Sequence, residues 1–185
     1  MQPSGFFLQV KDPLLRTINA EYGILKDGVT GVVEMAKASG LELLSDEEKN
    51  PMVASSYGTG QLIKLVLDKG CSKVIVGIGG SATNDGGVGM IKALGGKFLT
   101  KEGEEIEPGG VGLKLLHSID LSGFDKRVFN TEIVVACDVT NPLTGPNGAS
   151  KIYGGQKGGN DEQLNLLDLN LVNYAAVIRK AFIKN

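Results

Sequence analysis

The sequence has 185 residues, which is long enough for one domain with a sizeable buried core. It is 42% apolar and 22% charged, with a net charge of −2 and no basic block, so nothing in it favours nucleic-acid binding. No apolar run approaches the roughly 18 residues that a membrane span needs, and the N-terminus does not resemble a signal peptide. Cys71 and Cys137 predict buried, reduced thiols in a cytoplasmic protein.

The first third of the chain predicts three strands and then a helix. Phe6–Val10, Thr17–Ile24 and Val29–Met35 are rich in β-branched or aromatic residues, and turns with Asp-Pro or Asp-Gly separate them. Residues 57–69 carry an apolar stripe at helical spacing, and Gly70 suits the position just beyond the end of a helix. This alternation of strands and helices predicts an α/β fold with a mixed sheet.

Val74–Gly89 is the stretch around which the chain is organised. Val74–Val76 predicts a buried strand, a glycine-rich loop follows it, and Val88–Leu94 predicts a short helix ended by Gly95. Free N–H groups at the junction of such a loop and a helix favour anion binding. The glycine spacing alone is equally consistent with a tight packing turn, and its likeness to a dinucleotide fingerprint is weak.

Polar side chains in this loop favour a ligand site over a packing turn. Thr83, Asn84 and Asp85 supply a hydroxyl, an amide and a carboxylate in succession. Open α/β sheets bind their ligands beyond the carboxyl ends of strands, which is where these side chains are expected. The competing interpretation of Asp85 is that it caps the helix that follows it.

The rest of the chain predicts a second buried strand at Thr131–Cys137, followed directly by Asp138. Asp138 and Asp85 lie at the same edge of the sheet if the two strands run parallel. The long turn-rich loop after Asp138 contains Asn141, and loops of that size are usually functional or disordered. Other expected elements are short strands, a weak helix and a final helix: Lys97–Leu99, Ile119–Leu121, Pro108–Leu116 and Asp161–Lys184.

A further glycine loop at Gly154–Gly159 has Lys157 at its centre. Two carboxylates, an amide and a lysine beside glycine loops supply the groups that phosphoryl transfer requires: a base, a magnesium ligand and a positive charge. Each residue also has a structural interpretation. Asp138 could form an Asx turn, and Lys157 could be a solvated loop lysine.

Several motifs in the same order resemble the bacterial type I glycerate kinases. The resemblance covers nearly the whole chain from about Asp12 onward and is carried by these segments: Glu34–Leu41, Ser56–Gly60, Val76–Gly87, Ile119–Gly123, Ala136–Pro146, Gly148–Ser150 and Gly155–Gly158. It implies ATP-dependent phosphorylation of glycerate with Mg²⁺ in the cytoplasm. The composition predicts no nucleic-acid or membrane partner, and a homo-oligomer stays open.

The resemblance also implies roles for individual residues. Asp85 and Asp138 are expected at the cleft, one of them (preferably Asp85) acting on the substrate hydroxyl and Asp138 holding metal or orienting substrate. Lys157 would add charge stabilisation. Substrate or phosphate would be bound by the remaining candidates: Gly79, Gly80, Ser81, Thr83, Asn84, Asn141 and Gln156.

The chain departs from the family pattern at both ends. The family's Asp-Ser-Phe-Lys-Gly motif and its C-terminal glycine-rich portion are not found, so residues 1–185 are expected to be one α/β domain equivalent to the inserted second domain, with Met1–Leu8 at a truncation boundary. Two alternatives remain. The isolated domain could bind a small hydroxy acid without turnover. A dinucleotide-binding domain would place Glu102, Glu104 or Glu105 on a ribose, although these lie in a charged hairpin.

Overall fold

The computed structural model describes residues 4–182 of the chain and forms a mixed α/β fold, as the sequence predicts. Its strands are β1 Ser4–Lys11, β2 Thr17–Ile24, β3 Thr30–Glu34, β4 Lys73–Gly77, β5 Lys97–Leu99, β6 Ser118–Asp120 and β7 Glu132–Ala136. Its helices are α1 Ala36–Ser39, α2 Tyr57–Asp68, α3 Val88–Ala93, α4 Ala149–Tyr153 and α5 Asp161–Phe182.

The main sheet has five strands in the order β1-β2-β3-β4-β7. β1, β2 and β3 pair antiparallel, whereas β3, β4 and β7 are parallel. The register brings Glu34, Gly77 and Ala136 side by side at the carboxyl ends of the three parallel strands. The segments that follow them therefore start from the same edge of the sheet.

Helix α2 covers one face of this sheet. Its buried residues Leu62, Ile63 and Val66 belong to the same hydrophobic cluster as Val33 and Val74. The contact is close because β3 carries Gly31, where a Cβ atom would lie 2.1 Å from a methyl carbon of Val66. The predicted helix end is confirmed, since Gly70 adopts a φ of +82°, which L side chains rarely adopt.

A second hydrophobic cluster joins helix α5 to the two-stranded sheet of β5 and β6. Phe98 of β5 packs near Tyr174 of α5, with ring centroids 6.4 Å apart. Helix α5 starts with a reciprocal capping box. The backbone N–H of Gln163 donates to Asn160 Oδ1 at 2.9 Å, and the backbone N–H of Asn160 donates to Gln163 Oε1 at 3.0 Å.

The structure corrects the expectations about the helix and the second strand predicted after Gly96. Residues Pro108–Leu116 form only a short 3₁₀ turn at Gly112–Leu115, because glycines disfavour a continuous helix. The second strand is present as β7, but it is exposed, not buried. Ile133, Val134 and Val135 are 40%, 38% and 52% exposed.

Strand β7 lies at the edge of the sheet, and its side chains are exposed because no described helix packs over either of its faces. It pairs with β4 on one side, and within residues 4–182 no strand pairs with its other side. Cys137 follows β7 and is likewise exposed, contrary to expectation, whereas Cys71 is buried as predicted. No helix in this described range is long and apolar enough to cross a bilayer.

Candidate functional site

The candidate site lies where β4 and β7 end. The parallel pairing of these strands is confirmed, so the loop after Gly77 and the loop after Ala136 leave the sheet side by side. The glycine loop after β4 is fixed by two backbone hydrogen bonds: the Leu41 N–H donates to the Gly80 carbonyl at 2.9 Å, and the Ala82 N–H donates to the Ser39 carbonyl at 2.8 Å. The loop therefore has a defined conformation.

Glycine keeps one side of this loop open. A Cβ atom at Gly77 or Gly79 would meet no other described atom within 4 Å, so a ligand can approach the backbone there. Gly80 adopts a φ of +69°, a conformation that disfavours other residues. The loop thus presents peptide groups to the space beyond the sheet.

Two adjoining cavities open at this edge. One, of about 440 Å³, is named here the Asp138 cavity, and the other, of about 330 Å³, the Asp85 cavity. The Asp138 cavity is lined by six of the predicted residues: Gly79, Gly80, Ser81, Asp138, Gln156 and Lys157. The Asp85 cavity is lined by Thr83, Asn84 and Asp85. Both cavities are lined by Ile78, Ser81, Ala149, Tyr153 and Lys157, so they form one two-part cleft.

Lys157 lies between the two parts of the cleft and is only 8% exposed. Its ammonium donates to Ser81 Oγ at 2.9 Å and to the Thr83 carbonyl at 2.6 Å. Burial lowers the pKa of Lys157 to about 8, and the negative charge of Asp85 opposes that shift. The solvated-lysine interpretation is therefore wrong. The cleft contains a buried cation with neutral oxygens as its direct partners.

Asp85 is 1% exposed, and its carboxylate is fully engaged. Oδ2 accepts hydrogen bonds from the Ser56 N–H at 2.9 Å, the Ser56 hydroxyl at 2.8 Å and the Gly89 N–H at 3.1 Å. Oδ1 accepts from the Gly87 N–H at 3.1 Å. This geometry agrees with the capping interpretation, since one carboxylate serves the N-terminal ends of both α2 and α3. A role for Asp85 as a base stays a prediction.

Asp138 has a different environment, because it follows the edge strand and is exposed. Its cavity also exposes the glycine loop and Lys157. One accessible carboxylate fits a magnesium ion whose other ligands are phosphate oxygens and water. Within residues 4–182 no group of three or more acidic, histidine or cysteine side chains is placed to hold a metal by itself.

Asn84 and Asn141 act in the structure as ties between loops. The Asn84 amide donates to the Ser150 hydroxyl at 2.8 Å, which joins the glycine loop to helix α4. The Asn141 amide donates to the Asn147 carbonyl at 3.0 Å and accepts from the Tyr153 hydroxyl at 2.5 Å. Asn141 does not itself line either cavity, and it contacts the cleft through Tyr153, which lines both.

Three residues at the site were not predicted to belong to it: Ser56, Ser150 and Tyr153. Ser56 stands just before α2, and its hydroxyl donates to Asp85 and accepts from the Met90 N–H at 3.0 Å. Tyr153 lines both cavities. Its position just before the third glycine loop is the signal that could have found it.

Several known proteins that are similar to this chain are named as glycerate kinases. A glycerate kinase of Bacillus subtilis is 51% identical over 172 residues, and a glycerate 2-kinase of Escherichia coli is 53% identical over 172 residues. Each alignment covers 93% of this chain and 45% of the relative. A crystal structure of a glycerate kinase 2 candidate from Salmonella typhimurium LT2 matches with a TM-score of 0.94 and 47% identity, covering 96% of this chain and 48% of that one.

The chain therefore spans about half the length of the curated relatives it matches. The sequence model of the glycerate kinase family matches residues 3–185, which is almost the whole sequence. With the identities above, this match shows that the chain belongs to the glycerate kinase family.

Proposed function

We propose that this chain contributes to the ATP-dependent phosphorylation of D-glycerate. The main support for this proposal is the buried ammonium of Lys157, which lies between two adjoining cavities. The exposed carboxylate of Asp138 lies on the wall of one of them. The family membership and the relatives named glycerate kinase support the substrate and the reaction class.

In this reaction a hydroxyl oxygen of glycerate attacks the γ-phosphorus of ATP. One P–O bond forms, the bond to the ADP oxygen breaks, and the hydroxyl proton passes to a carboxylate. Lys157 and the peptide groups of Gly79–Ser81 would stabilise the substrate carboxylate or the phosphoryl oxygens. Mg²⁺, when bound, would neutralise phosphate charge, and Asp138 is the residue available to hold it.

We propose Asp138 in preference to Asp85 as the base, a role that is the alternative to holding Mg²⁺. A group that takes a proton must be reached by the substrate hydroxyl. Asp138 is accessible, whereas the carboxylate of Asp85 is buried beneath four hydrogen bonds. We assign Asp85 the role of a positioning residue that fixes the floor of the cleft.

We further propose that the chain supplies the substrate domain of a two-domain enzyme. The matched relatives are about twice as long. In support, the middle residues of β7 are apolar, and parallel strands are normally covered on both faces. A neighbouring domain that covers β7 would also border the Asp138 cavity, and we assign most of the nucleotide contacts to it.

The test is calorimetric titration of this chain with D-glycerate and, separately, with ATP and Mg²⁺. Glycerol serves as the matched ligand without a carboxylate. We expect saturable glycerate binding, weaker binding of glycerol, and at least about a tenfold loss in Lys157→Met. Lys101→Met, which changes an exposed lysine in the β5 turn, is the control.

The outcomes separate the proposals. Glycerate binding that Lys157→Met leaves unchanged would refute the assignment of Lys157. Glycerate binding with no turnover of ATP would support the isolated chain as a hydroxy-acid-binding domain. In the E. coli relative, replacing the residue aligned with Asp138 by Asn should lower kcat by about 10²–10⁴ if the carboxylate at this position is the base. A loss below about threefold would exclude it.

A further inference from the structure

A third cavity, of about 370 Å³, lies next to the two-part cleft and has a different lining. We name it the lysine-rimmed cavity, after Lys11 at the end of β1 and Lys92 of α3. Its size is within the range of small-molecule sites in proteins. Neither Lys157 nor Asp138 contributes to it, so it is separate from the candidate site.

The lysine-rimmed cavity and the Asp85 cavity share a wall. Ser55 and Tyr57 line the former, and Ser56, between them, lines the latter. Helix α3 also separates the two cavities, because Gly89 lines the lysine-rimmed cavity and Met90 lines the Asp85 cavity. A molecule in the lysine-rimmed cavity would therefore contact the segment that also positions Asp85.

The charged residues that line this cavity are all basic. Two of its lining residues are lysines, and none of the residues that line it is acidic. The Lys11 ammonium donates to Thr17 Oγ1 at 3.1 Å, and the Lys92 ammonium pairs with Glu105 at 2.7 Å. Glu105 does not line the cavity. Glu105 already compensates the charge of Lys92, so an anion in the cavity would be attracted mainly by Lys11 and would compete with Glu105 for Lys92.

The rest of the wall is largely carbon. Leu15, Val88, Pro108 and the ring of Tyr57 contribute apolar surface. The Ser55 hydroxyl already accepts a hydrogen bond from the Tyr57 N–H at 3.2 Å. Such a wall favours a ligand with an apolar body over a sugar or another molecule rich in hydroxyl groups.

One part of the wall is held in an unusual conformation. Leu15 has a φ of +63°, which is uncommon for a residue with a β-carbon. The turn is fixed by the buried Asp12, whose Oδ1 accepts from the Leu14 N–H at 2.9 Å and the Arg16 N–H at 2.8 Å. A side chain held in this way is preorganised, which lowers the entropy cost of binding a ligand against it.

We propose that the lysine-rimmed cavity binds a small organic anion with a flat apolar body and one carboxylate. The body would lie against Leu15, Val88 and Pro108, and the carboxylate would be held by Lys11 and would compete with Glu105 for Lys92. The proposal does not rest on the glycerate chemistry, because Lys157 and Asp138 do not line this cavity.

The experiment is a titration of the ¹⁵N-labelled chain with benzoate, followed by NMR. Benzamide is the matched neutral probe of the same size and shape. We expect saturable benzoate shifts at the amides of Leu15, Tyr57 and Gly109, with benzamide at least about tenfold weaker. The amides of Gly79–Ser81 report on the other cleft and are expected to shift less.

The double substitution of Lys11→Met and Lys92→Met should reduce benzoate binding to the level of benzamide. The matched control is Lys101→Met with Lys126→Met, which removes the same charge from exposed positions outside the cavity. Dispersed spectra check that both variants are folded. Equal binding of benzoate and benzamide, non-saturating shifts, shifts centred on Gly79–Ser81, or an equal loss in the control would each overturn the proposal.

Discussion

The buried ammonium of Lys157 should make the stability of this protein depend on pH in an unusual direction. In the folded chain its pKa is about 8, against an ordinary value of 10.5 for lysine. Between these two values the unfolded chain keeps the proton and the folded chain has lost it. Because the unfolded state then binds more protons, the free energy of unfolding rises with pH across this window.

The size of the effect follows from the size of the shift. A pKa difference of this order corresponds to about 3 kcal/mol of stability, most of which is gained between pH 8 and pH 10. Below pH 8 both states are protonated and the curve should be flat. Tyr174, whose pKa burial raises to about 12, contributes the opposite slope above pH 10, so measurements should end there.

The assay is urea unfolding of the parent chain and of Lys157→Met at pH 7, 8, 9 and 10. Methionine keeps most of the side-chain volume and removes the titrating group. The quantity of interest is the difference in unfolding free energy between the two proteins, since other groups titrate in both. We expect that difference to change by about 2–3 kcal/mol in favour of the parent chain as pH rises. Parallel curves, differing by less than about 0.5 kcal/mol over the range, would refute the reasoning.

Three further predictions concern the cleft and the sheet edge. Asp85→Asn should lower the unfolding free energy by about 2–4 kcal/mol, because an amide cannot accept all four hydrogen bonds, whereas the exposed Asp138→Asn should change it by less than about 0.5 kcal/mol in the same denaturation assay. Gly86→Ala should lower the melting temperature more than Gly28→Ala; both have positive φ, but only at Gly86 would a Cβ atom lie 2.6 Å from a tyrosine ring carbon. Val134→Lys should raise solubility without loss of melting temperature, as light scattering and a thermal scan can check, because β7 is an exposed edge.

The position of the glycine loop that forms the candidate site could be predicted from the sequence, because it depends on local signals. The apolar run at Val74–Val76, the glycines after it and the polar residues Thr83–Asp85 lie within one short segment. Strand and loop types of this kind follow from propensity and periodicity. The parallel pairing of β7 with β4 then brought Asp138 to the same edge, as the ligand position in α/β sheets implies.

The environment of each side chain could not be predicted in the same way. The partner of Asp85 is Ser56, which is 29 residues away, and the partner of Lys157 is Ser81, which is 76 residues away. No local pattern encodes such contacts. The prediction that the strand after Thr131 is buried was wrong for a related reason. An apolar composition shows that a strand can be buried, but the elements packed against the strand decide whether it is.

The shared carboxylate of Asp85 has a consequence for the dynamics of the cleft. It accepts hydrogen bonds from the residue before α2 and from the first turn of α3, so neither helix end can open without leaving a buried charge short of partners. The two helix starts should therefore exchange their amide hydrogens as one cooperative unit, at a high opening free energy. The loop after β7 is exposed on an open edge and should open at a much lower free energy. Local opening of the cleft would then occur in the loop after β7, while the starts of α2 and α3 stay folded.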